Sequence, residues 1–286
     1  MKTYKTIWSV LRQTFDHGNE HEAPRLAAAL AFYTILSLAP LIILVISIVA
    51  FVFGHSTAQY ELLGQVENLV GHQGAEAVRS LIEQAQKPSS GASASTLGVI
   101  TLLFGASGVF GELRSALHKM WDVKTQDETS VVGTIKQHLF SFGMVLAVGF
   151  LLMVSLVITT VLAAFGKFFG GLLPMPEFVL IAINFVLSVA GTAGLFALIF
   201  RYVPETEIAW KVVAIGATVT ALLFTIGKFL IGFYLGKAAV VSAYGAAGSL
   251  VVVIVWVYYS AMIFLFGAAF TRVVDFRQKA REAQAI

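Results

Sequence analysis

The sequence predicts an all-α, polytopic membrane protein with six transmembrane helices and short amphipathic helices in its first outer loop. Three observations lead there. Of 286 residues 58% are hydrophobic and only 12% charged, against about 25% charged in soluble domains, which is too little to cover a water-facing surface of this size. The polar residues gather between long apolar runs instead of alternating with them, and the mean hydropathy is +0.84. The runs show no ten-residue alternation, so they read as helices, which satisfy every backbone N–H and C=O internally, and not as barrel strands.

The apolar runs fall at about 26–53, 94–111, 138–165, 177–200, 212–235 and 246–270, each long enough for the roughly 17–25 residues that a helix needs to cross a bilayer. Residues 1–286 are thus expected to form a single transmembrane domain, with an outer loop at 54–95. The first run follows Lys2, Lys5 and Arg12 and precedes Ser56-Thr57-Ala58, which faintly resembles a cleavage site. It is nearly twice the length of a signal-peptide apolar region, about 7–15 residues, so an uncleaved anchor is expected. Before it, KTYKTIWSVLRQTF interleaves aromatic and basic residues, the pattern of a helix lying in the membrane interface.

Between these segments stands His17-Gly18-Asn19-Glu20-His21. H-x-x-E-H is a zinc-hydrolase pattern when both imidazoles share one helix face. Gly18 and Asn19 are poor helix formers, Pro24 follows, and His55, His72, His118 and His138 are scattered, with no spacing that supplies a third ligand. The stretch reads as a turn leading into the first span, and no metal site is expected.

Lysine and arginine set the orientation. With the N-terminus inside, the inner segments hold 14 of them and the outer segments four, Arg79, Lys87, Lys167 and Lys237, so both termini are expected in the cytoplasm. Positive charge flanks the spans and forms no separate patch, so the net +3 is no nucleic-acid footprint. With no cysteine there is no thiol chemistry.

In the outer loop, Leu62, Leu63, Val66, Leu69 and Val70 share one helical face, and Val78, Leu81, Ile82 and Ala85 another. They predict two short helices that cap the bundle or lie in the outer interface, with a gate over a substrate path as the sharper alternative, followed by a linker, KPSSGASAS. The second span runs without a breaker into ELRSALHKMWDV, predicting a helix that leaves the membrane and places Trp121 in the interfacial aromatic belt.

Candidate functional residues are few. Lys228 is the one charge well inside a span; it either lines a path or snorkels to the headgroups. Pro40 removes a helix bond and predicts a kink. Tyr33, Ser37, Asn184, Tyr234, Tyr244 and Tyr258 join Lys228 and Pro40 as the candidate path-lining groups. Glycines at 105, 108, 111, 191, 194, 232, 236, 245 and 248 thin the helices for close packing, and a dimer seam, hence a homo-oligomer, stays open. There is no P-loop, no G-x-S-x-G and no paired-acid spacing, so neither a catalytic constellation nor a cofactor is expected.

AAALAFYTILSLAPLI, FGASGVFGELRSALHKMWDV, RYVPETEIAWKVVAIGATVTALLFTIGKFLIGFYL and SAYGAAGSLVVVIVWVYYSAMIFLFGAAFTRV, in order, resemble the signatures of the YihY/BrkB family of bacterial inner-membrane proteins, over about residues 5–275. In that pattern an asparagine often stands at His118 and a glycine at Asp122. The resemblance implies six transmembrane helices in the bacterial plasma membrane and a transporter-like role in moving lipids or solutes. Members also carry the label ribonuclease BN, which the residues argue against: clustered His and Asp metal ligands are not visible. The leading expectation is a permease for a lipid or amphipathic solute, in contact with membrane lipids and with no nucleic-acid partner. The rival is a non-transporting envelope scaffold that binds a membrane partner through the 54–95 loop.

Overall fold

The computed structural model describes residues 2–70, 72–85, 108–123, 177–204, 206, 208–237 and 248–284. They are helical apart from short connections: α1 (Lys2–Glu20), α2 (Ala23–Phe53), α3 (His55–Val70), α4 (His72–Ala85), α5 (108–120), α6 (Glu177–Tyr202), α7 (Trp210–Lys237) and α8 (Gly248–Gln284). Helices α2, α6, α7 and α8 stand where four of the apolar runs lie; the run at 138–165, most of that at 94–111 and the linker KPSSGASAS fall outside the described residues. Two stretches, Trp210–Tyr234 and Leu250–Gln284, are long and apolar enough to cross a bilayer, while Ala23–Leu38 and Ser188–Tyr202 are shorter apolar helices.

Helix α8 is the hub, packing on α7, α2, α1 and α4, while α7 also lies against α6. The α7–α8 seam is built from small residues. A side chain on Gly216 of α7 would collide with Thr271 of α8, and one on Gly267 of α8 would collide with Thr220 of α7. Numbers rise along one helix as they fall along the other, so the two run antiparallel. Each threonine hydroxyl donates to the glycine carbonyl four residues back in its own helix, Thr220 to Gly216 at 2.7 Å and Thr271 to Gly267 at 2.8 Å. The hydroxyls are satisfied locally, and the threonine side chains fill the glycine notches opposite.

The distribution of side-chain sizes on α7 is the reverse of a soluble helix. Its buried face carries Gly216, Ala217, Thr220, Ala221 and Thr225, and its exposed face carries Ile215, Leu222, Leu223, Ile226, Phe229, Leu230 and Phe233. Water would penalise such an exposed apolar surface; lipid does not, and there helices associate through close backbone approach instead. Toward one end of α6 and α8 the core becomes aromatic. Phe196 and Phe200 pack on Phe264, and Phe200 meets Trp121 from α5.

Val78 and Ile82 of α4 bury themselves with Ile46 of α2, and Leu62, Leu63 and Val66 of α3 pack around them. α1 does not stop at His17 but runs through Gly18 and Asn19 to Glu20, because Gly18 lies directly against the Phe266 ring of α8, where any β-carbon would clash. Tertiary packing thereby outweighs the poor helix propensity of Gly18 and Asn19.

Candidate functional site

The end of α1 and the end of α5 meet, and both end the same way. In α5 the Val123 amide donates to the His118 carbonyl at 2.9 Å and the Asp122 amide to Lys119 at 3.4 Å, a Schellman cap that needs a left-handed residue at Asp122. Asp122 has φ 55°. In α1 the Glu22 amide donates to the Asn19 carbonyl at 3.0 Å, and Glu22 has φ 58°. Glycine adopts this backbone freely and Asp tolerates it better than most residues. The chain then re-enters a helix at once, with Pro24 in the first turn of α2, where its missing N–H costs nothing.

Each cap's acid pairs with the other helix. Asp122 Oδ1 lies 2.8 Å from His21 Nε2, and Glu22 pairs with Lys119 and, at 2.7 Å, with Arg25. His17 Nε2 lies 2.8 Å from the Met120 carbonyl, one of the groups an α-helix leaves open at its C-terminus. Trp121 is buried, not interfacial as expected: its Nε1 donates to the Ala268 carbonyl of α8 at 2.9 Å. It anchors the junction to the hub helix. The Glu22 carboxyl is held below its usual range first by the Lys119 hydrogen bond, against a smaller opposing desolvation. Burial alone would raise Asp122; the His21 hydrogen bond and the charges of His21, His17 and Arg272 outweigh it and hold Asp122 low.

Beside the junction a cavity of about 350 Å³ is lined by Trp121, Asp122, Val123, Thr206, Ile208, Arg272, Asp275 and Lys279. Asp275 is buried at 2% exposure between Arg272, at 3.6 Å, and Lys279, at 2.8 Å. Arg272 also approaches Asp122 Oδ2 at 3.6 Å. One buried carboxylate thus holds two cations on a cavity wall that carries two acids and two bases. Thr206 adds a buried hydroxyl oxygen with no hydrogen-bond partner among the described residues. Separately, His17, His21 and Asp122 each offer one ligand atom, all within 4.8 Å of one another, a set with the composition of a metal site.

The path-lining residues expected from sequence are not gathered here. Tyr33 is partly exposed on α2 and lies against Gly108 of α5. Ser37 is buried and donates to the Tyr33 carbonyl of its own helix at 2.8 Å. Pro40 and Asn184 lie within α2 and α6. Lys228 is half-buried on α7, its ammonium 5.5 Å from the Phe229 ring. Tyr234 is exposed, Tyr258 packs against the main core, and Tyr244 falls outside the described residues. None lines the described cavity. The residues that do come from three separate segments, 121–123, 206–208 and 272–279, and no local spacing in the sequence links Asp122 to His21 or Arg272. The His17–His21 stretch stood out in the sequence, but nothing there placed Asp122 beside it.

The family described as Virulence factor BrkB matches residues 14–286. Among similar proteins, the ribonuclease-like protein YfkH of Bacillus subtilis is 24% identical over 95% of this chain and 97% of its own length. A UPF0761 membrane protein of Mannheimia succiniciproducens is 26% identical over 96% of this chain and 91% of its own. Another, from Verminephrobacter eiseniae, is 29% identical over 94% of this chain but 62% of its own length. No solved structure matches. With relatives named as membrane proteins, apolar helices that turn their large side chains outward and a match over nearly the whole sequence, the chain is a membrane protein that belongs to the BrkB family.

Proposed function

We propose that the protein is a permease of the bacterial inner membrane that moves a lipid or amphipathic solute, with six spans in one domain and both termini cytoplasmic. One observation carries this reading. A cavity walled by Arg272, Lys279, Asp122 and Asp275 opens at the end of a bundle whose flanks are apolar. A charged pocket beside a lipid-facing surface matches a molecule with a charged head and an apolar tail. The cations lie on the C-terminal part of α8, the end that the positive-inside bias assigns to the cytoplasm.

In this reading the head docks against Arg272, and the tail remains in lipid along the outward face of α7. Tyr33, Ser37, Pro40, Asn184, Lys228, Tyr234, Tyr244 and Tyr258 are proposed for the route through the apolar depth. The ribonuclease-like name belongs to the Bacillus protein and is not carried over to this chain.

The test is reconstitution into liposomes with labelled phospholipids and amphipathic solutes. Movement that depends on the protein supports the reading; no movement of any of them by well-folded protein overturns it. Lys228→Met is expected to slow transport at normal membrane abundance, and an unchanged rate removes Lys228 from the route.

A further inference from the structure

The clearest further chemistry is the histidine cluster at the two helix ends, which shares Asp122 with the cavity wall. His21 has both ring nitrogens on oxygen: Nδ1 is 2.8 Å from the His17 carbonyl and Nε2 is 2.8 Å from Asp122 Oδ1. His17 has Nε2 on the Met120 carbonyl. Protein metal sites use this arrangement: an imidazole donates one N–H to a backbone carbonyl, which fixes the tautomer and aims the other nitrogen's lone pair at the ion. Here two backbone carbonyls commit one nitrogen of each ring. They leave His17 Nδ1 and His21 Nε2 for a ligand, with the Asp122 carboxylate already in contact with the second.

We propose that His17, His21 and Asp122 bind one divalent transition-metal ion of the zinc class, which clamps the end of α1 to the end of α5. Zinc is held at about 2.0–2.2 Å by imidazole nitrogen and carboxylate oxygen in a tetrahedral arrangement, which puts neighbouring ligand atoms roughly 3.3 Å apart. His21 Nε2 and Asp122 Oδ1 are 2.8 Å apart, and the three residues can each bring one ligand atom within 4.8 Å of the others, so small side-chain adjustments reach that spacing. Two imidazoles and a carboxylate without any thiolate favour a borderline ion over a soft one. The two imidazole rings lie close together, their centroids 4.1 Å apart.

Access and rigidity suit the role. The His21 side chain is 16% exposed and that of Asp122 50% exposed, so the site can be reached from solvent. Its three ligands sit on a helix turn and a Schellman cap, with Gly18 pressed onto Phe266 and Trp121 bonded to α8. Three protein ligands leave one position for water. This proposal does not rest on the transport reading, and its test involves no transport.

Detergent-purified protein is stripped with a chelator and titrated with zinc ion by calorimetry, with cobalt ion as a spectroscopic probe. One ion per chain, a cobalt spectrum of tetrahedral type and a thermal midpoint that rises with zinc concentration are expected. Asp122→Gly suits the φ of 55° and keeps the fold, yet its zinc affinity should fall at least about ten-fold. His21→Gln should do the same. His72→Gln, which alters an exposed histidine beside Glu67 and Glu76, should change nothing. Absence of stoichiometric binding by the unmodified chain overturns the proposal. So does binding that survives both Asp122→Gly and His21→Gln.

Discussion

Glu22, just past the end of α1, is paired with Lys119, in the last turn of α5, across 97 residues of sequence. The two helix ends are thereby locked through a backbone turn that puts Glu22 at φ 58°. A cation in a helix's last turn also offsets the negative end of the helix dipole, so Lys119 is well placed even before it meets Glu22.

That pair carries a pH dependence. The Glu22 carboxyl is held below its ordinary 4.5 in the folded protein, chiefly by Lys119. The folded state therefore binds this proton less readily than the unfolded state does. The contribution is fully present above 4.5 and disappears as pH falls through the lower folded value. Thermal unfolding in detergent should show native protein more stable than Glu22→Gln near neutrality, with the gap closing in acid. A gap that stays constant with pH would contradict the assignment.

The α7–α8 seam predicts a contrast between glycines. Gly216→Ala and Gly267→Ala each force a β-carbon into a threonine on the facing helix, and overpacking of this kind costs about 1–3 kcal/mol. Gly191→Ala meets nothing within 4 Å and should be neutral or stabilise by up to about 1 kcal/mol through helix propensity. Pairing Gly216→Ala with Thr271→Ala should restore much of the loss. Unfolding midpoints of the four variants decide the matter.

Trp121 should be worth more than its hydrophobic area. Trp121→Phe keeps most of the packing on Phe200 but removes the bond to the Ala268 carbonyl, a loss of about 0.5–1.5 kcal/mol. Trp121→Ala should cost about 3–5 kcal/mol and loosen α5 from α8. Hydrogen exchange over residues 108–123 would rise in both, more in the second.

If the cavity receives a charged headgroup, Arg272→Met should slow liposome transport of such lipids several-fold. Lys279 still neutralises Asp275 at 2.8 Å, so the protein should remain folded. A rate equal to that of the native protein, measured alongside an unchanged unfolding midpoint, would remove Arg272 from the site.

Some features follow from the residues themselves. The apolar residues of 62–70 and 78–85 recur with helical periodicity, which is local information, whereas the outward face of α7 emerges only once its packing on α6 and α8 is known. The Gly–Thr seam was not legible: the glycines that stood out in the sequence are others, and neither Gly216 nor Gly267 was marked until the facing threonines defined their notches. Trp121 was misplaced because an amphipathic aromatic at a span's end suits an interface or a core equally well, and only α8 decides between them.

The sequence by itself determined the class: hydropathy and charge density mark a helical membrane protein, because backbone that enters lipid must satisfy its own hydrogen bonds. Tertiary structure decided the chemistry. His17-Gly18-Asn19-Glu20-His21 reads as a turn until Phe266 packs on Gly18 and keeps the helix going. Asp122 reads as part of the amphipathic helix that leaves the membrane until a Schellman cap ends that helix and brings its carboxylate to His21. Residues 101 positions apart meet only where two helix ends, each with open carbonyls to satisfy, are brought to the same place.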